Sequence, residues 1–111
     1  MKITHIDVHE AHKRLEADKD ITILDVRTPD EFELFYIKGA VNIDASGKYF
    51  AYELKDLDKD KPYLVHCHSG ERSLKALDVL RAEGFKNILH MDGGMREWNH
   101  EKLPAVYNWT I

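Results

Sequence analysis

The chain's one cysteine, Cys67, sits in the stretch VHCHSGERS, residues 65–73. His66 and His68 flank it, and Ser69, Gly70, Glu71, Arg72 and Ser73 follow. Such a thiol has four candidate roles. It can attack phosphate, carry sulfur, ligate a metal or fill a small core site. Free cysteine is usually buried and behaves as a small hydrophobe, but these neighbours favour a nucleophile. A tight loop feeding a helix N-terminus aims several backbone N–H groups into one small space, and the helix dipole behind them favours an anion. If Cys67 projects into that nest, the anion is its own thiolate, with a lowered pKa. Gly70 suits the turn, Arg72 adds positive charge at the rim, and Ser69 and Ser73 can hydrogen-bond to the anion or brace the loop. Together these make an activated nucleophile.

A metal fits less well. Zinc takes about four ligands, or three with a water. Neighbours on an extended strand point to opposite faces, so His66 and Cys67 do not converge. His9 and His12 lie three apart on a helical stretch, with no cysteine or acidic cluster beside them to complete a set. His68 lies in the loop, where it can shape the mouth of a pocket or stand in solvent.

The guest of the nest is the next question. Protein tyrosine phosphatases have a similar loop, with five residues between cysteine and arginine. Here four intervene: His68, Ser69, Gly70 and Glu71. A smaller ring of amides suits a smaller guest, such as one sulfur atom on the cysteine.

These residues need a scaffold. Short apolar runs at Ile3 to Ile6, Ile21 to Val26, Ala40 to Ile43, Tyr63 to His66 and Asn87 to Met91 alternate with helical patterns. That alternation predicts βαβ units and a parallel sheet. Asp7 with Glu10 predicts one helix start, and Thr28-Pro29-Asp30-Glu31 a stronger one. A third helix follows the cysteine loop. The sequence predicts its start near Arg72 or Ser73, a buried stripe of Leu74, Leu77 and Leu80, and an end at Gly84. Shorter helices are predicted over Lys48 to Leu57 and Gly94 to His100. Right-handed crossovers place helices on both faces of the sheet. In open α/β sheets, sites form at the carboxyl ends of strands, which is where Cys67 to Arg72 falls.

Composition bounds the function further. The 111 residues, 1–111, are enough for one domain with its own core. A net charge of −4 argues against nucleic-acid binding, which needs a basic face. No segment approaches the roughly 20 apolar residues of a membrane span, and the N-terminus has no signal-like apolar stretch. A single cysteine forms no internal disulfide, which makes the cytoplasm the expected compartment.

With these residues in place, the chain resembles the rhodanese family, specifically its single-domain members. ILDVRTPDEF (23–32), YIKGAVNI (36–43), CHSGERS (67–73) and DGGMREW (92–98) look like four of its motifs, in the family's order and over most of the chain. The resemblance implies a parallel five-stranded sheet flanked by helices on both faces. It also implies sulfurtransferase activity of the thiosulfate type. Cys67 would be the nucleophile that takes sulfane sulfur as a persulfide and passes it to a thiol or cyanide, or to a protein acceptor. The loop residues His68, Ser69, Gly70, Glu71 and Ser73 would bind the sulfur, and Arg72 would assist with an anionic donor. No metal and no cofactor are implied. Two alternatives use the same loop: a phosphatase or arsenate-reductase relative, and a binding module that carries no sulfur.

Two departures stand out. Phe35-Tyr36 replaces a common glycine-histidine pair at a position that looks structural. Glu71 puts a negative charge in the loop, which would oppose an anionic donor such as thiosulfate. Elsewhere, Asp25 and Arg27 read mainly as an ion pair bracing loops, with Arg27 as a second anion contact the other reading. Asp92-Gly93-Gly94 reads as turn and helix-cap chemistry, its glycines allowing close approach to the cysteine loop. Phe32, Phe35, Tyr49, Phe50, Tyr52, Trp98 and Trp109 read as packing residues, although Tyr49 to Tyr52 could line a pocket or a partner surface. The tail at residues 103–111 has no evident role beyond packing along the domain or meeting a second copy.

Overall fold

The computed structural model describes residues 1–108. The five apolar runs become the five strands of one sheet. Along the chain, β1 (Lys2–Ile6) leads to helix α1 (Val8–Ala17), and β2 (Thr22–Asp25) to α2 (Pro29–Leu34). Two short strands follow, β3 (Phe35–Tyr36) and β4 (Val41–Asn42). Helix α3 (Phe50–Glu53) continues into a 3-10 turn at Leu54–Asp56. Then come β5 (Pro62–His66), α4 (Glu71–Ala82), β6 (Asn87–Met91), α5 (Gly94–His100) and β7 (Val106–Tyr107).

The sheet order is β1-β6-β5-β2-β4, and every pair in it is parallel. Both faces are covered, as parallel sheets require. Alternate strand residues enter two separate cores. Leu24, Tyr63, Val65 and Ile88 join Phe50, Ala76, Leu77 and Leu80 from α3 and α4 on one face. Ile23, Leu64, Leu89 and Met91 join Val8, Ala11, Met95 and Trp98 from α1 and α5 on the other. Strand β5 is central, so its carboxyl end is walled by the ends of β2 and β6.

The helix starts follow their sequence signals. The Asp7 carboxylate accepts from Glu10 N–H at 2.8 Å. Thr28 and Glu31 form a reciprocal capping box ahead of Pro29. Gly84, at φ +89°, follows the last turn of α4.

Several expectations need correction. Helix α4 begins at Glu71, one residue ahead of the expected start near Arg72 or Ser73, with Gly70 as its N-cap. Its buried side is Ser73, Ala76, Leu77 and Leu80, while Leu74 is exposed. Leu77 and Leu80 are buried as expected, but the stripe begins at the polar Ser73 rather than at Leu74. Of the aromatic run at 49–52, only Phe50 packs; Tyr49 and Tyr52 are exposed. The tail packs along the domain: β7 pairs antiparallel with β3, and Trp98 Nε1–H donates to the Pro104 carbonyl at 2.9 Å. Trp109 lies outside the described residues.

Candidate functional site

The loop from Cys67 to Gly70 joins the end of β5 to the start of α4. It curls because Gly70 adopts φ +99°, a left-handed conformation open to glycine. The curl turns N–H groups inward onto the sulfur. Gly70 N–H lies 3.1 Å from Cys67 Sγ, and Ser73 N–H 3.4 Å. The Ser73 hydroxyl lies 3.3 Å away. Burial alone would push the thiol's pKa up. The hydrogen bonds from Ser73, Gly70 and Ser69 outweigh it and hold the pKa below the ordinary thiol value. Cys67 itself is fully buried, at the floor of the loop.

The loop's carbonyls turn outward onto the next helix. Met95 N–H donates to the Cys67 carbonyl at 2.9 Å, and Arg96 N–H to the His68 carbonyl at 2.8 Å. The first N–H groups of α5 thus find their partners in the cysteine loop. Such close packing excludes side chains at two glycines. A Cβ on Gly94 would lie 2.4 Å from the His68 oxygen, and one on Gly70 would lie 2.1 Å from the Asp92 oxygen.

A polar layer supports the loop from below. His66 is fully buried, with its Nδ1 3.1 Å from the Cys67 carbonyl. Burial holds its pKa low, so a neutral ring donates there. Among the described residues, its Nε2 is the one buried side-chain nitrogen or oxygen without a hydrogen bond; it lies 3.6 Å from Asp25 Oδ2. Arg27 and Asp25 form a buried bidentate pair, with NH2 to Oδ2 at 2.8 Å and Nε to Oδ1 at 3.0 Å. Arg27 also donates to the Phe35 carbonyl at 2.6 Å. It is a brace, and its fork faces the protein rather than an incoming anion.

A family model described as a rhodanese-like domain matches residues 7–101. The chain belongs to the rhodanese-like domain family. Thiosulfate sulfurtransferase GlpE of Vibrio cholerae is 31% identical over 100 residues, covering 90% of this chain and 92% of that protein. The tRNA uridine(34) hydroxylase of Pelagibacter ubique is 36% identical over 110 residues, covering 96% of this chain but 36% of that protein. A rhodanese-related protein from Thermoplasma volcanium superimposes with a TM-score of 0.81 at 33% identity, covering 93% of this chain and 97% of that one.

In this rhodanese-like domain the residues singled out in the sequence fall into two groups. Cys67, Ser69, Gly70 and Ser73 converge on the sulfur. His68 is half-buried beside it, and Glu71 is an exposed residue of the first turn of α4. Arg72 is at the rim but already occupied. Its NH1 and NH2 donate to the Glu31 carboxylate at 2.6 and 2.8 Å. Its hydrogen bonds hold the Glu31 carboxyl down at about 2, against burial. Arg72 also lines a cavity of about 350 Å³ with Ala45, Ser46, Phe50, Lys75 and Val79.

Three residues near the site have no role there on sequence grounds. Glu31 reads only as a capping residue, and His90 and His5 only as parts of apolar strands. The visible clue is a histidine interrupting the run Ile88-Leu89-His90-Met91, with Asp92 following. The expected helix cap within Asp92-Gly93-Gly94 is made by backbone alone, and the Asp92 side chain instead binds His90 Nδ1 at 2.8 Å and His5 Nδ1 at 3.1 Å. Gly93 is the N-cap, within the expected tripeptide.

Among the described residues, two sets bring three potential ligand atoms within 4.8 Å: His5, His90 and Asp92, and Glu97, His100 and Glu101. Hydrogen bonds join Asp92 to both His5 and His90, and Glu101 to His100, and we assign no metal to either set.

Proposed function

We propose that the protein is a sulfurtransferase that moves sulfane sulfur through a persulfide on Cys67. The donor is thiosulfate or a persulfide, and the acceptor is cyanide, a thiol or a protein sulfur acceptor. The Cys67 thiolate attacks the outer sulfur of thiosulfate. The sulfur–sulfur bond of the donor breaks, and sulfite leaves with the electron pair. The acceptor then attacks the terminal sulfur of the persulfide, and the thiolate leaves. Cys67 and Arg72 are the catalytic residues of this scheme, and His68, Ser69, Gly70, Glu71 and Ser73 form the sulfur-binding loop. Two half-reactions share one covalent intermediate. All the steps are transfers between sulfur and a nucleophile, and none needs a cofactor. The free thiol suits a reducing compartment such as the cytoplasm.

The observation that carries this reading is the convergence of Gly70 N–H, Ser73 N–H and Ser73 Oγ on one sulfur, all within 3.4 Å. The amides close on the cysteine sulfur itself, which fits a guest of one added sulfur. The test is a steady-state assay of thiocyanate formed from thiosulfate and cyanide. Parallel double-reciprocal lines are expected. Turnover of an aryl phosphate, with none of any sulfur donor, would favour the phosphatase reading. Turnover of neither would favour a binding module.

A further inference from the structure

Ser73 has one hydroxyl hydrogen and three acceptors within reach. Its Oγ lies 3.3 Å from Cys67 Sγ, 3.1 Å from the Gly70 carbonyl and 2.7 Å from His90 Nε2. The last contact is the shortest, and it connects the sulfur to a buried imidazole. On the other side of that ring, Nδ1 lies 2.8 Å from the Asp92 carboxylate. The carboxylate accepts, so Nδ1 carries a hydrogen and Nε2 of the neutral ring is bare. While the sulfur is a thiol, the Ser73 hydrogen goes to His90 and the S–H is left to donate to Ser73 Oγ. When His90 is protonated, Nε2–H donates to Ser73 Oγ, and the hydroxyl hydrogen turns to the sulfur.

We propose that Asp92, His90 and Ser73 form a proton relay for the Cys67 thiol, with His90 as the positioning residue that holds the proton. The S–H bond breaks and its proton passes to Ser73 Oγ while the serine's own proton passes to His90 Nε2. The products are a thiolate and an imidazolium, with total charge unchanged. The reverse transfer returns the thiol. This assignment deepens the sulfur-transfer reading, since it names how the resting thiol becomes the attacking species.

The groups around His90 set its balance. Burial disfavours its charged form; Asp92 favours it by hydrogen bond and charge, and His5 on β1 opposes it. The His5 Nδ1 lies 3.2 Å from His90 Nδ1, with the two rings edge to face at 5.1 Å. His66 on β5 is buried and its charged form is disfavoured. From α4 the facing group is Ser73, and from the loop before it the Cys67 sulfur. The thiolate is therefore a negative charge that rewards protonation of His90, and by linkage a protonated His90 rewards the thiolate equally.

The test reads that coupling in both directions, in chelator-treated buffer. Ring-nitrogen NMR follows the titration of His90 in the unaltered protein and in Cys67→Ala. Removing the sulfur should lower the His90 midpoint by about one pH unit, a tenfold change in proton affinity. The rate of Cys67 alkylation by iodoacetamide is then followed against pH. His90→Gln should move its midpoint up by a similar amount, and Ser73→Ala should do the same while leaving the His90 ring titratable. Equal His90 midpoints with and without the sulfur would overturn the relay, as would an alkylation midpoint unmoved by His90→Gln. If His90→Gln does not fold, the NMR comparison still decides. No sulfur donor enters these measurements, so a failed relay leaves the persulfide reading standing, and a failed persulfide leaves the relay standing.

Discussion

Arg72 reaches across from helix α4 to clasp Glu31 of helix α2 with two hydrogen bonds, of 2.6 and 2.8 Å. The rim arginine of the cysteine loop is therefore oriented before any donor arrives. The same carboxylate accepts from the Thr28 N–H at 3.1 Å, so one glutamate both caps α2 and aims Arg72.

This pair makes a pH-dependent contribution to stability. The folded pKa of Glu31 is depressed to about 2 from its ordinary 4.5, chiefly by Arg72. A depressed carboxylate stabilises above its unfolded pKa and loses that stabilisation as pH falls through the folded value. With side chains 36% and 32% exposed, solvent screens the pair. Glu31→Gln, which keeps an acceptor for the cap, should cost about 1 kcal/mol at neutral pH. Urea denaturation should show the gap from the unaltered protein narrowing between pH 4.5 and 2, the window set by those two values. A gap independent of pH would remove the electrostatic explanation.

Gly70 is predicted to be the least replaceable residue of the loop. Alanine there meets both the strain of φ +99° and a backbone oxygen 2.1 Å from its Cβ. Gly70→Ala should lose at least about 2 kcal/mol of stability, more than strain alone. Thiol alkylation near neutral pH should slow as well, because the Gly70 N–H leaves the sulfur. Full stability in this variant would show that the loop can relax away from Asp92.

Glu71 is exposed at the first turn of α4, where its charge suits the helix dipole but repels an anionic donor. Glu71→Gln should raise kcat/KM for thiosulfate about 2- to 5-fold at low salt, with the gain vanishing near 1 M salt. A neutral acceptor thiol should show no such gain. An unchanged or lowered thiosulfate rate would place Glu71 away from the donor's path.

Cys67 is 0% exposed, so access to its sulfur is narrow. Relative to a free thiol of matched pKa, Cys67 should react with small iodoacetamide in preference to a bulky aromatic disulfide. Stopped-flow rates for the two reagents give the ratio. Equal selectivity against both would mean that the loop opens freely in solution.

The scaffold is legible in the sequence because period and caps act locally. Thr28-Pro29-Asp30-Glu31 announces its helix, and each of the five apolar runs becomes a strand of the main sheet. The thiol's surroundings are legible in part, since Cys67, Gly70 and Ser73 lie within seven consecutive residues. What stays hidden depends on contacts between distant segments. Glu31 and Arg72 are 41 residues apart, and His5 and His90 are 85 apart. The pairing of β3 with β7 likewise joins residues far apart in sequence. Leu74 falls off the buried stripe for a different reason: the buried face of α4 begins with Ser73, whose hydroxyl serves the sulfur rather than the core.

The most direct test is the intact mass of the purified protein after incubation with thiosulfate and, separately, with a small persulfide. Sulfur transfer through Cys67 predicts a gain of one sulfur atom, lost on addition of cyanide or a thiol and absent in Cys67→Ser. A mass unchanged by either donor, in protein whose Cys67 still alkylates, would contradict it.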